Sequence, residues 1–134
     1  MVNILDKVQP KTKEQLKQLI NYAFKHDIYD LNFIDTSKIT DMSWLFENVK
    51  HNFDISSWDV SNVKDMSYVF QFCYDLDCDL SSWDVSSVTN MRDMFDECER
   101  LKCDLSIWNV SNVLDMRGMF THCNKLTIPA WYTE

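Results

Sequence analysis

Glycine is almost missing from this chain, with Gly118 the single instance in 134 residues. Neither a GxGxxG fingerprint nor a P-loop can be written with one glycine, so glycine-cradled phosphate chemistry is excluded. No apolar run approaches the roughly eighteen residues that a membrane span needs. No apolar h-region follows the start, MVNILDKVQPKTKEQLKQLI, so neither a secretory leader nor a membrane partner is expected. Basic residues are scarce too: 13 Lys and Arg stand against 21 Asp and Glu, a net charge of -8. Phosphates would be repelled, so direct nucleic-acid binding is not expected.

What is present points to one globular domain, with 46% hydrophobic and 25% charged residues. The acids are 16 Asp and 5 Glu. Asp is a poor interior helix residue and a good cap and turn residue, so many short elements are expected. The five cysteines are Cys73, Cys78, Cys98, Cys103 and Cys123. An odd count without a leader favours reduced thiols and a cytoplasmic location. All fall in apolar phases of the pattern described next, so they are expected as buried structural thiols with no metal.

Tryptophans recur at Trp58, Trp83 and Trp108, 25 residues apart, and the surrounding sequence keeps step. Units span 55–79, 80–104 and 105–129, preceded by a degenerate unit at 31–54 that is one residue shorter. A period between about twenty and fifty residues marks a stacked repeat architecture. In one unit Asp65 can cap a short helix, with Met66, Val69, Phe70 and Cys73 as its i, i+3, i+4, i+7 stripe. Leu76, Cys78 and Leu80 alternate with period two, which predicts a strand. The expectation is therefore an α/β solenoid of about four 24–25-residue coils, each with a short parallel strand and a short helix. Residues 1–30 form an N-terminal cap, in which Thr12 to Phe24 make an amphipathic helix with a Thr12/Gln15 capping box. Residues 130–134 close the other end, with Trp131 and Tyr132 as a hydrophobic lid and Pro129 blunting the last edge.

The strings WDVSNVKDMSYVF, WDVSSVTNMRDMF and WNVSNVLDMRGMF resemble the BspA-type leucine-rich repeats of bacterial surface proteins. TKEQLKQLI followed by LNFIDTSKITDMSWLF resembles that family's entry cap and first repeat, and together the likeness covers residues 11 to 126. Cys78 and Cys103 replace residues that are usually polar in the family. The resemblance implies a leucine-rich-repeat-like scaffold without catalytic residues or cofactors, in an adhesive or protein-binding role. Short relatives without a leader resemble products of phages and mobile elements, where a small acidic protein often blocks a host enzyme.

Candidate sites follow from repeat phase. Asp54, Asp79 and Asp104 share one phase, and Asn52, Asp77 and Lys102 lie two residues earlier. These carboxylates either accept backbone hydrogen bonds or form an acidic strip that meets a basic partner. Off the apolar stripe lie Trp44, Tyr68, Asp93 and Gly118 in one phase, and Asn48, Phe72, Glu97 and His122 in another. Asp96 joins Asp93 and Glu97 in the third unit. Trp, Tyr and Phe are interface-enriched types, though Trp44 and Phe72 could instead pack on the capping helix. The three histidines have no nucleophile placed to make a triad. The functional expectation is a monomeric, non-catalytic protein-binding module whose acidic, aromatic-bearing surface takes a basic protein. One alternative is a phage-type inhibitor that mimics nucleic acid toward a host enzyme, such as a CRISPR effector. Another is an adhesin-like surface protein.

Overall fold

The computed structural model describes residues 8–133, so residues 1–7 of the expected cap and Glu134 of the expected C-terminal cap lie outside the described residues. One α-helix forms, α1 (Lys13–Lys25). Thr12 caps it through Oγ1, which accepts the Gln15 N–H at 3.2 Å. Gln15 Oε1 reaches back to the Lys11 N–H, one residue short of the usual capping-box target. Asp27 ends the helix at φ 59, and the Ile28 N–H bonds back to the Ala23 carbonyl at 2.8 Å. Leu16, Ile20 and Ala23 bury its inner stripe.

The α/β class is overturned. Apart from α1, the described residues hold no helix and no named strand, only five isolated parallel bridges in place of a sheet. The repeats are layers of turns instead. In the stretch read as a helix, successive turns close from Val69 to Met66, Gln71 to Tyr68 and Cys73 to Phe70 at 3.0–3.3 Å. Tyr68 and Phe72 take left-handed φ of 59° and 62°, which a right-handed helix forbids. The N–H groups of Met66, Tyr68, Phe70 and Phe72 leave their own layer and bond to Asn90, Arg92, Met94 and Asp96 carbonyls at 2.9–3.0 Å. Backbone pairing between layers thus replaces pairing along a helix, while the side chains of the expected stripe, Met66, Val69, Phe70 and Cys73, stay inside.

The stretch read as a strand fails for a related reason. Leu76, Cys78 and Leu80 are buried and Asp77 and Asp79 exposed, so the alternation is real. Side chains rather than a backbone ladder join neighbouring layers there. Asp77 N–H bonds to Asn52 Oδ1, and Ile55 N–H to Cys78 Sγ.

The core runs along the stack as columns. Phe46, Phe70, Phe95 and Phe120 stack with centroids 5.4–5.8 Å apart. Trp58, Trp83 and Trp108 tilt against them. Each indole N–H donates to a carbonyl of the preceding layer, Leu31, Ile55 and Leu80 in turn. Trp131 is the fourth member of that ladder, bonding to Leu105 at 2.9 Å and stacking on Trp108. Cys73, Cys98 and Cys123 donate thiol hydrogens to Phe46, Phe70 and Phe95 carbonyls. All five cysteines are free.

Candidate functional site

The aspartates build the turns. Three phases per layer over four layers make twelve Asp or Asn residues, each accepting through Oδ1 the N–H two positions on. This is the Asx turn, and it explains why Asp65 reads as a helix cap: the local bond is the same in both settings. Asp54, Asp79 and Asp104 belong to this set, accepting from Ser56, Ser81 and Ser106 at 2.9–3.0 Å. Bonds from those serines hold the three carboxyls below the usual carboxylate range. The side chains remain exposed.

Asp77 does not belong to a uniform acidic strip. Lys102 of the next layer lies 3.8 Å from it, and Arg100 lies 3.4 Å from Asp75. Asp77, Arg100, Lys102 and Lys125 line one shallow depression of mixed charge.

The other two columns share one backbone property. Trp44, Tyr68, Asp93 and Gly118, with Asn48, Phe72, Glu97 and His122, are all left-handed, with φ between 50° and 67°. A left-handed residue turns its side chain away from the packed stripe. Trp44, at 44% exposed, stacks flat on Tyr68 with centroids 3.9 Å apart and 8° between planes. Phe72 lies beside Tyr74, over which Lys50 sits at 4.8 Å. Phe24, the phenylalanine of α1, packs on Tyr29, Phe46, His51 and Phe53. Further along, Asp93 pairs with Arg92 at 3.5 Å, and its carboxylate fills the space a Cβ at Gly118 would need.

A family model described as "Mycoplasma protein of unknown function, DUF285" matches residues 14–131. The chain belongs to the DUF285 family. The match runs from α1 to the last tryptophan of the ladder. No curated protein and no solved structure matches this DUF285 chain. No helix among its described residues is long and apolar enough to cross a membrane.

The acidic end of the two columns is compact in this DUF285 protein. Glu97 Oε1 meets His122 Nδ1 at 2.6 Å, and Asp96 Oδ2 accepts from Gln71 at 3.0 Å. Ligand atoms of Asp96, Glu97 and His122 lie within 4.8 Å of one another, a spacing that a divalent ion could bridge. Sequence reasoning assigned all three to the same face but left out the His122–Glu97 contact. The signal was available, because their shared phase places one layer directly over the next.

Proposed function

We propose that this DUF285 chain is a non-catalytic protein-binding module of the BspA-type leucine-rich-repeat kind, acting as a cytoplasmic monomer. The observation that supports this reading is the row of bulky residues in left-handed backbone. Such positions cost non-glycine residues about 1–3 kcal/mol each, and persist where structure or function demands them. Asn or Gly would relieve most of that cost at Trp44, Tyr68 and Phe72. Trp44 is exposed, Tyr68 and Phe72 are half-buried, and Trp44 and Tyr68 stack together. Aromatic groups of this kind anchor protein interfaces. Asp93, Asp96 and Glu97 lie on the same face, with Asp54, Asp77, Asp79 and Asp104 on the flank, as a negative rim toward a basic partner. Their local partners temper the field, so the aromatic pair is the primary contact and the acids govern encounter rate.

The experiment is affinity capture from lysate of the source organism, with mass spectrometry of what is retained. A Trp44→Ser/Tyr68→Ser/Phe72→Ser variant is expected to lose the retained protein by at least about tenfold, the scale of a hot-spot loss. Asp93→Asn/Asp96→Asn/Glu97→Gln is expected to lose it only in part and to flatten the salt dependence. Retention of the same protein by both variants overturns the reading, as does capture of nothing by the wild type.

A further inference from the structure

The four alternate N–H groups of each turn run all point the same way along the stack, while the residue before each run donates back, Thr89 N–H to Lys64 and Leu114 N–H to Thr89. Met91, Asp93, Phe95 and Glu97 donate to Asp115, Arg117, Met119 and Thr121 at 2.8–3.0 Å, as the layer before donates to Asn90, Arg92, Met94 and Asp96. Alternate peptide groups are therefore aligned, carbonyl toward the first layer and N–H toward the last. The stack begins in a carbonyl row and ends in an N–H row. α1 meets the first row: Lys13 Nζ lies 3.4 Å from the Ser43 carbonyl and Lys17 Nζ 3.5 Å from that of Leu45. At the other end, the N–H groups of Met116, Gly118, Phe120 and His122 have no acceptor among the described residues.

We propose that this donor row docks the bare carbonyl row of one further turn layer of the same kind, carried by another polypeptide chain. Three observations select that occupant. The junctions within the molecule show what covers such a row, since each internal row of four N–H groups meets four carbonyls of the next layer. The row sets four N–H groups beside the single carbonyl of Leu114, in the phase where Lys64 and Thr89 accept from the following layer, whereas an ordinary strand edge alternates N–H and C=O groups and would set its own donors against these. An intact second copy does not fit, because lysines of α1 meet the Ser43 and Leu45 carbonyls of its first row and its other end repeats the same four N–H groups. The apolar surface beside the row agrees. Ile107 is 76% exposed where the inner layers carry Ser57 and Ser82, and Leu114 is 88% exposed where they carry Lys64 and Thr89. Leu114 also lines an open groove with Val113, Met116, Arg117 and Thr133. This end surface is separate from the aromatic face, so either proposal can fail without the other.

The test uses the full chain, with amide exchange followed residue by residue. Alone, the amides of Met116, Gly118, Phe120 and His122 are expected to exchange far faster than those of Met91, Asp93, Phe95 and Glu97. The probe is a copy starting at residue 29, which lacks α1, joined by a flexible linker after residue 134. Protection of the four amides by at least tenfold is expected, and Ile107→Glu/Leu114→Glu in the full-length half should abolish it. The donor row is itself the reporter, so a probe that fails to fold against it counts against the proposal. Unchanged exchange of the four amides in the tethered chain overturns it, as does protection that survives the double variant.

Discussion

Gly118 illustrates how one residue can be fixed by its neighbour in the next layer. Its φ is +67°, and a Cβ there would stand 2.0 Å from Asp93 Oδ1. Gly118→Ala therefore carries a left-handed penalty of about 1 kcal/mol plus the cost of displacing the Asp93 carboxylate. Adding Asp93→Ala should recover the second part and leave the first, which a double-mutant cycle by urea unfolding would separate. The cysteines make a second residue-scale prediction. Burial pushes the Cys73, Cys78 and Cys123 thiols up to about 12, and raises Cys98 and Cys103 as well. The thiolate is the reactive form, so the folded chain at pH 8 should react with a disulfide reagent only slowly. Five thiols should appear on denaturation; rapid titration of several in the native chain would contradict that burial.

At the scale of elements, the turn layer and the helix are two answers to one side-chain pattern. Met91, Met94, Phe95 and Cys98 are fully buried, just as a helical stripe would be. Phe95 lies between Phe70 and Phe120 in the column, and Trp108 leans on it. Phe95→Ala should cost about 3–5 kcal/mol in chemical denaturation, because both stacked neighbours lose a face. A cost under about 1 kcal/mol would mean that the column carries little of the stability. The interior was legible in the sequence because burial follows side-chain phase. The backbone was not, because i, i+3, i+4 spacing is satisfied both by a helix and by a run of turns with every fourth residue left-handed. Nothing local marks Tyr68 or Phe72 for that conformation; aromatic residues are poor candidates for it. The candidate site was legible in the same partial way: repeat phase put Trp44 with Tyr68 and Asp77 with Lys102, but the flat ring stack and the 3.8 Å ion pair appeared only once the layers were stacked.

For the whole molecule, the Asx turns whose carboxyls are lowered tie stability to pH. The Asp54, Asp79, Asp84 and Asp104 carboxyls are held below their ordinary value near 3.8 by hydrogen bonds from the serine two residues on. Hydrogen bonds from Arg117 bring Asp115 down to about 2. A carboxyl lowered in the folded state contributes stability that is fully present above the unfolded value and is lost as pH falls through the folded one. The midpoint of thermal unfolding should therefore hold from neutral pH down to about pH 5 and fall steadily between pH 4 and 2. A midpoint unchanged at pH 3 would show that the turns do not depend on ionised carboxylates. Asp84→Ser should narrow that fall slightly, since one of the lowered carboxyls would no longer titrate.

Composition and period alone determined that this is a repeat of 24 or 25 residues with a continuous apolar interior and a capping helix before it. They determined these because burial and capping depend on side-chain type and spacing, which each unit states again. Where the backbone hydrogen bonds go was decided by the tertiary structure. A single unit has no partner for its Met66, Tyr68, Phe70 and Phe72 N–H groups. Only when the next layer supplies four carbonyls does the left-handed turn run become better satisfied than an isolated helix of two turns, which is marginal in water. The same stacking gives the molecule its direction, with lysines of α1 over the carbonyl end and open N–H groups at the other.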